Sequence, residues 1–128
     1  MRVLLDTHTL LWWLADDASL SATARQTIAD PDNTIFVSAA SAWEIATKFA
    51  KGKLPTAEAI IPNLAQIVAE EGFIHLPITI DHMIRSAFLP SDHRDPFDRI
   101  LAAQSLIEDF LLLSTDEKMP QLGVKLAW

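Results

Sequence analysis

Residues 3–8 read VLLDTH, three uncharged apolar residues followed by an acid, a small hydroxyl and a histidine. A short apolar run bounded by polar residues predicts a strand that is buried on both faces. Such strands are typical of parallel sheets, because the crossover helices cover the sheet on each side. We therefore expect an α/β fold in which Asp6 lies at the carboxyl edge of a central, mainly parallel sheet.

The rest of the chain continues this alternation of short apolar runs and helical patterns. Further strands are predicted at Ile35–Val37, Phe73–Leu76, Leu111–Leu113 and, as an edge strand, Val124–Leu126. Helices are predicted at Thr9–Leu14, Ser21–Ala29, Ala42–Ala50, Ala57–Glu70, Asp81–Phe88 and Pro96–Ile107. In open sheets of this kind, ligands bind in the crevice at the carboxyl ends of the strands.

The composition predicts one compact domain spanning residues 1–128 and located in the cytoplasm. Half of the 128 residues are hydrophobic, none is cysteine, and the formal net charge is −7. No apolar run is long enough to span a bilayer, so we expect no membrane contact. Without thiolates, carboxylates or histidines must hold any metal ion, which favours Mg²⁺ or Mn²⁺. The acidic balance argues mildly against nucleic-acid binding by surface charge alone.

Four acids occupy comparable positions along the predicted alternation. Asp6 and Asp116 follow predicted strands. Glu44 lies in the helix after the predicted strand Ile35–Val37, and Asp98 lies in the first turn of the helix that Pro96 begins. A parallel sheet would bring all four to one edge, where they would repel one another unless cations joined them. Hard divalent cations suit such a site, and two-metal clusters of this kind hydrolyse phosphodiesters.

Helix capping offers another explanation for each acid taken alone. Ser41 and Glu44 have the Ser-x-x-Glu spacing of a capping box. Asp95 and Asp98 fit the N-cap and third positions of a helix that Pro96 begins. Capping is a weaker explanation for four acids at one sheet edge, but the sequence leaves both explanations open.

Four motifs together resemble the PIN-domain family. Residues 3–8 (VLLDTH), 41–45 (SAWEI), 94–104 (RDPFDRILAAQ) and 114–116 (STD) occur in the order seen in these proteins. The DPFDR segment is the most specific of them. The resemblance covers essentially the whole chain and is, more narrowly, to the VapC-like toxins of bacterial type II toxin–antitoxin systems.

The resemblance implies a single PIN-like domain with a three-layer α/β/α fold and a Mg²⁺- or Mn²⁺-dependent endoribonuclease activity. The catalytic and metal-binding positions of the family match Asp6, Glu44, Asp98 and Asp116. Thr7 and Thr115 match small polar positions that would support metal or water by hydrogen bonding. Asp95 would support the site as a helix cap, and Arg99 through a phosphate contact or an ion pair.

The resemblance also implies partners that composition and periodicity do not show. These are an RNA substrate, a cognate antitoxin protein and a second copy of the chain in a homodimer. Binding to DNA would be indirect, through the antitoxin.

Several aromatic and basic residues near the acids have two interpretations. We expect Trp12, Trp13 and Trp43 to belong to the core, although some could face RNA bases or an antitoxin peptide. Of the four histidines, His8 and His93 lie closest to the acids and are candidates for a substrate contact. The Lys48, Lys51 and Lys53 cluster is most simply a solvated helix end, but it could hold an RNA backbone if it bordered the acids.

Two other functions remain compatible with the sequence. The chain could be a non-catalytic binding module whose acids are only helix caps, which predicts no affinity for metal ions. It could also be a metal-dependent phosphatase or DNase that uses the same acidic site, which only a substrate comparison would separate from a ribonuclease.

Overall fold

A five-stranded parallel sheet, covered by helices on both faces, organises the computed structural model, which describes residues 1–128. The strands are β1 (Arg2–Leu5), β2 (Thr34–Ser38), β3 (Ile74–Leu76), β4 (Leu111–Leu113) and β5 (Lys125–Ala127). The helices are α1 (Thr7–Leu14), α2 (Ala22–Ala29), α3 (Ala39–Ala50), α4 (Leu64–Glu70), α5 (Ile80–Phe88) and α6 (Pro96–Glu108). Short 3₁₀ helices lie at Pro55–Ala59, Ile61–Asn63 and Met119–Leu122. The predicted α/β/α fold is confirmed.

The strand order β3-β2-β1-β4-β5 places the first strand at the centre of the sheet. Val3 pairs with Ile35 of β2 on one side and with Leu111 of β4 on the other. Strands β2 and β3 extend the sheet on one side of β1, and strands β4 and β5 then extend it on the other side. This reversal leaves a crevice at the carboxyl ends of β1 and β4, the position where open α/β sheets bind ligands.

Both faces of the sheet pack against apolar cores, which explains why the strands are apolar without alternation. Val3 and Leu5 belong to a core formed with α1, α2 and α4. Leu4 faces the opposite core, to which α6 contributes residues 100–103. No helix of the structure is long and apolar enough to cross a membrane.

Two of the predicted helices differ from the structure by three or more residues at their beginnings. The predicted helix Ala57–Glu70 is wrong in its first half, where two 3₁₀ helices precede the α-helix that begins at Leu64. Pro62 causes the break, because it has no N–H to donate and disfavours α-helical geometry in the residue before it. Helix α3 begins at Ala39 rather than Ala42, with Ser38 as its N-cap.

Candidate active site

The four predicted acids converge on a cleft of about 360 Å³ at the carboxyl edge of the sheet. Asp6 follows β1 and caps α1, and Asp116 follows β4. Glu44 comes from α3 and Asp98 from the first turn of α6. We call these four residues the carboxylate cluster. The cleft is lined by Asp6, His8, Trp12, Glu44, Lys48, Asp95, Asp98, Thr115 and Asp116.

Asp6 is held in place by one hydrogen bond on each of its carboxylate oxygens. The backbone N–H of Thr7 donates to Oδ1 at 2.6 Å, and the hydroxyl of Ser114 donates to Oδ2 at 2.5 Å. The Ser114 oxygen in turn accepts the backbone N–H of Asp116 at 3.0 Å. Ser114 therefore couples the ends of β1 and β4, a role that the sequence did not suggest.

Thr7 and Thr115 differ in their relation to the cleft. The Thr7 hydroxyl is buried and donates to Ser41 Oγ at 3.0 Å, so its contribution to Asp6 comes from its backbone N–H. Thr115 is exposed and lines the cleft. The two threonines thus act at different points, one behind the carboxylate cluster and one at its surface.

Glu44 is the acid that helix capping does not explain. Because α3 begins at Ala39, Ser41 and Glu44 both lie inside the helix, and the capping box suggested by their spacing is wrong. The side chain is 3% exposed and its Oε2 accepts an ion-paired hydrogen bond from Lys48. Its Oε1 is buried and has no hydrogen-bond partner. A buried carboxylate oxygen without a donor is costly, which points to a ligand that the protein itself does not provide.

Asp95 and Asp98 are three residues apart and do different things. Asp95 is the predicted N-cap, since its Oδ1 accepts the backbone N–H groups of Phe97 at 2.9 Å and Asp98 at 3.3 Å. The Asp98 carboxylate points into the cleft, where His93 Nε2 lies 2.9 Å from its Oδ2. The capping explanation therefore holds for Asp95 and fails for Asp98.

The acids of the cluster resist ionisation in the absence of a cation. Burial raises the pKa of Asp98 to about 8, together with the nearby charges of Asp6, Asp95 and Asp116. Burial also raises the pKa of Asp6, against the opposing effect of the Ser114 hydrogen bond. Both shifts mean that the folded protein, without a cation, disfavours a full set of negative charges here.

Lys48 is the basic residue that borders the cluster. Burial lowers its pKa, but the hydrogen bond and charge of Glu44 outweigh this effect, so that the net shift of the Lys48 pKa is upward. Lys51 and Lys53 are exposed beyond the end of α3 and do not line the cleft. Of the three predicted basic residues, the structure thus places one at the site.

Arg99 lies outside the carboxylate cluster and forms no ion pair there, so the expectation of an ion pair is wrong, whereas the phosphate contact stays a prediction. Its guanidinium donates to four backbone carbonyl oxygens at 2.7–3.2 Å, those of Ser86, Leu89, Ser91 and His93. All three nitrogens of the group are occupied in this way. Arg99 therefore fixes the loop between α5 and α6, which carries His93 to the site.

The tryptophans do not share one environment. Trp13 packs against Phe73 and Trp12 against Trp128, with ring centroids 6.2 and 5.6 Å apart, and both are partly buried. Trp43 is 51% exposed, although its ring makes an edge contact with Phe97. The expectation of a core position is therefore wrong for Trp43, because α3 turns it away from the sheet.

The donor atoms of the cluster suit a hard divalent cation. Four carboxylates from four elements offer oxygen ligands, and the unpartnered Glu44 Oε1 shows that at least one of them has no donor within the protein. Mg²⁺ and Mn²⁺ prefer oxygen ligands of this type. The residues present thus fit a metal ion.

Two comparisons with known protein sequences match most of the chain. The profile of the PIN domain family matches residues 3–125. Ribonuclease VapC22 of Mycobacterium tuberculosis (strain ATCC 25618 / H37Rv) is 30% identical over 118 residues, which cover 91% of this chain and 88% of that protein.

Three solved structures share the fold across nearly the whole chain. VapBC2 from Rickettsia felis, bound to a DNA fragment from its promoter, has a TM-score of 0.73 at 14% identity and covers 99% of this chain and 98% of that chain. FitAcB from Neisseria gonorrhoeae has a TM-score of 0.67 at 18% identity, with 97% of this chain and 95% of that chain covered. VapBC-1 from nontypeable Haemophilus influenzae has a TM-score of 0.68 at 14% identity, with 99% of this chain and 97% of that chain covered.

Proposed function

Because the chain belongs to the PIN domain family, we propose that it is a metal-dependent endoribonuclease that hydrolyses phosphodiester bonds in RNA. The observation that carries the proposal is the convergence of four carboxylates in one cleft, with a buried Glu44 oxygen that has no donor. The choice of RNA as substrate rests on the similarity to Ribonuclease VapC22.

The residues proposed to hold the metal ion, Mg²⁺ or Mn²⁺, are Asp6, Glu44, Asp98 and Asp116. When bound, a divalent cation would lower the pKa of a nearby water and stabilise the charge that develops on the phosphate. Ser114 and the Thr7 N–H orient Asp6 for this purpose, and Asp95 fixes the first turn of α6 that presents Asp98. No side chain of the cleft needs to act as a nucleophile.

Cations around the cleft can receive the RNA backbone although the protein is acidic as a whole. Lys48 borders the carboxylate cluster, and Arg94 and Lys118 line the wider adjoining part of the cleft. We propose that each contacts a phosphate beside the scissile bond, which is the usual function of Lys and Arg in nucleic-acid binding.

The experiment that tests the proposal is cleavage of total bacterial RNA by purified, antitoxin-free protein with Mn²⁺, with Mg²⁺ and with EDTA. We expect discrete products that require the metal and that decrease about 1000-fold in Asp98→Asn. Asp109→Asn is the matched control, because Asp109 is an exposed aspartate at the other end of α6. A folded protein that neither binds metal nor cuts RNA would contradict the proposal and favour a binding module.

A parallel assay with single-stranded DNA and a small phosphate monoester addresses the remaining alternative. The ribonuclease proposal predicts that both are cleaved much more slowly than RNA. Faster, metal-dependent turnover of either would assign the same carboxylate cluster to a DNase or a phosphatase.

We further propose that the protein is the toxin of a type II toxin–antitoxin system. The proposal rests on the similarity to Ribonuclease VapC22 and on the fold shared with the VapBC complexes. Expression alone should arrest bacterial growth, and co-expression of the cognate antitoxin should relieve the arrest. Asp98→Asn should not arrest growth, whereas arrest by this variant would show that toxicity does not depend on the carboxylate cluster.

The proposed homodimer has a candidate surface on α5, a helix that buries polar side chains and exposes apolar ones. The side chains that α5 buries include His82 and Ser86, whereas four apolar side chains at helical spacing face outward. These are Ile80, Met83, Ile84 and Phe88, of which Ile80 and Phe88 are 79% and 80% exposed. We call them the α5 stripe. An exposed apolar stripe of this kind marks an interaction surface.

A second copy of the chain fits this surface in area and in charge. The α5 stripe presents on the order of 500 Å² of apolar surface, comparable to the apolar part of the roughly 800 Å² that each partner buries in a stable dimer. Asp81 and Arg85 lie one turn apart on the same helix. An antiparallel pairing of two α5 helices about a twofold axis would set Asp81 of one copy beside Arg85 of the other.

Light scattering after size exclusion tests the dimer. We expect a dimer for the wild type and a monomer for Ile84→Glu. Ile74→Glu, which introduces the same charge at another exposed isoleucine, should remain dimeric. A monomeric wild type, or a dimeric Ile84→Glu, would contradict the assignment of the α5 stripe.

A further inference from the structure

His93 enters the cleft from the loop between α5 and α6 and touches two members of the carboxylate cluster. Its Nε2 lies 2.9 Å from Asp98 Oδ2 and 3.8 Å from Asp116 Oδ2. The side chain is 8% exposed. The imidazole therefore approaches both carboxylates through the same nitrogen, although they come from α6 and from the segment after β4.

The three side chains have the spacing of a metal-binding set. One ligand atom from each of His93, Asp98 and Asp116 lies within 4.8 Å of the other two. Adjacent ligands of an octahedral ion with bonds of about 2.1 Å are about 3 Å apart. The distance from His93 to Asp98 already has this value, and the distance to Asp116 exceeds it by less than 1 Å.

The loop is fixed so that His93 is held in this position. Arg99 donates to the carbonyl oxygens of Leu89, Ser91 and His93 itself. The backbone N–H of His93 donates to Ser91 Oγ at 3.1 Å. These bonds hold the backbone on both sides of the imidazole, so that little conformational entropy would be lost when His93 binds a ligand.

A second observation indicates that the cleft accommodates a cation. Glu44, which is 3% exposed and lines the cleft together with Asp98 and Asp116, has a buried Oε1 without a hydrogen-bond partner. Asp98 and Asp116 line both parts of the cleft, one with Asp6 and Glu44 and the other with His93, Arg94 and Lys118. The set containing His93 thus lies beside the oxygen-only set and shares its central carboxylates.

We propose that His93 is a nitrogen ligand of a divalent transition-metal ion held together with Asp98 and Asp116. The inference rests on the proposed metal-dependent function and deepens it by assigning a metal preference. Mg²⁺ is bound mainly by carboxylates and water, whereas first-row transition-metal ions, which bind nitrogen ligands more strongly than Mg²⁺ does, accept an imidazole beside carboxylates. The site should therefore prefer Mn²⁺ to Mg²⁺.

The test is electron spin-echo spectroscopy of Mn²⁺ bound to the full chain, which detects ¹⁴N nuclei of directly coordinated imidazole. We expect ¹⁴N modulation in the wild type and its loss in His93→Gln. His8→Gln, at the other histidine lining the cleft, and His75→Gln, at an exposed position of β3, should both retain it. Calorimetric titration should show Mn²⁺ binding about tenfold or more weaker in His93→Gln, with Mg²⁺ binding changed less.

The outcomes separate this inference from the proposed function. If the wild type bound Mn²⁺ without ¹⁴N modulation, the assignment of His93 would be overturned, and this result does not depend on whether the variant folds. If that same wild type still cut RNA, the proposed ribonuclease function would stand. Modulation that persists in His93→Gln or disappears in His8→Gln would also overturn it. A wild type that neither binds Mn²⁺ nor cuts RNA would overturn the proposed function itself.

Discussion

Helix α6 contributes to two buried polar clusters that differ in how their hydrogen bonds are satisfied. Its first turn supplies Asp98 to the carboxylate cluster, and its C-terminal half supplies Gln104 and Glu108 to a second group. In that second group Gln104 Oε1 accepts from Ser38 Oγ at 2.5 Å, and Gln104 Nε2 donates to Pro77 O at 3.3 Å. We call this group, with His82, the glutamine cluster.

His82 shows how completely the glutamine cluster is paired. Its Nδ1 accepts the backbone N–H of Thr79 at 3.0 Å, so the ring proton must be on Nε2, which donates to Glu108 at 3.0 Å. The carboxylate cluster instead has an unpartnered Glu44 oxygen and a raised Asp98 pKa. A satisfied buried network fixes the position of its elements, whereas an unsatisfied one carries a cost that only a ligand removes. The two clusters should therefore respond oppositely to substitution.

Of the variants that compare the two clusters, Glu44→Gln should have the largest effect on activity and little effect on folding. The amide keeps the volume of the side chain but removes a charge that would hold the metal ion, so we expect RNA cleavage to fall about 100-fold or more. In EDTA, the free energy of unfolding should change little, because the loss of one buried negative charge offsets the weaker bond to Lys48, from which the amide oxygen can still accept. Glu70→Gln, at an exposed position of α4, is the control and should leave cleavage unchanged. Equal activity of the two variants would exclude Glu44 from the site.

Gln104→Leu should produce the opposite result, a loss of stability with little loss of activity. Leucine cannot accept from Ser38 or donate to Pro77, and these groups are left without their partners. We expect the free energy of unfolding to fall by about 2 kcal/mol in urea titrations. Gln66→Leu removes an exposed hydrogen bond to Glu70 and should change stability by less than about 0.5 kcal/mol. If Gln104→Leu were as stable as Gln66→Leu, the contrast between the clusters would not hold.

The metal-free protein should become less stable as the pH rises. The pKa of Asp98 is about 8 in the folded protein against 3.8 ordinarily, so the folded state binds this proton more tightly than the unfolded state does. The resulting stability is fully present below pH 3.8 and is lost as the pH rises through 8. In EDTA we expect the free energy of unfolding to fall by about 2 kcal/mol between about pH 6 and 8.

Asp98→Asn is the control for this pH dependence, because the amide does not titrate. Its stability should decrease less than that of the wild type over the same range. Added Mn²⁺ should restore the stability of the wild type at pH 8, since a ligand that binds only the folded state stabilises it. Parallel pH profiles of the two proteins would show that Asp98 titrates with an ordinary pKa.

The strands were the most predictable part of the fold, and the beginning of α3 was not. The predicted Leu111–Leu113 strand agrees with the structure at both ends, because it belongs to a short apolar run bounded by Asp109 and Ser114. For α3, the local sequence favoured Ser41 as the N-cap, because Ser41 has the capping-box spacing to Glu44. Ser38 is fixed by its bond to Gln104, which lies 66 residues away and which no local pattern could reveal.

In the site, too, some features could be predicted from the local sequence, whereas others depend on contacts between residues far apart in the chain. The acids were visible because residues that follow parallel strands meet at one edge of the sheet. The contact of Ser114 with Asp6 spans 108 residues and had no signal beyond the position of Ser114 at the end of β4. Arg99 was misjudged because its neighbour Asp98 is in the site, whereas the helix turns the arginine toward the carbonyl groups of the preceding loop.

Lys48→Gln should have the smallest effect of these variants, and it tests whether Lys48 competes with a cation for the carboxylate cluster. Lys48 bonds to Glu44 Oε2 and competes with a divalent cation for that carboxylate, so its removal should tighten Mn²⁺ binding by about threefold, the effect of a partly exposed charge. The same change removes a phosphate contact and should raise the KM for RNA. Lys51→Gln, at the exposed end of α3, should change neither constant. Tighter metal binding with an unchanged KM would mean that Lys48 balances the charge of Glu44 without touching RNA.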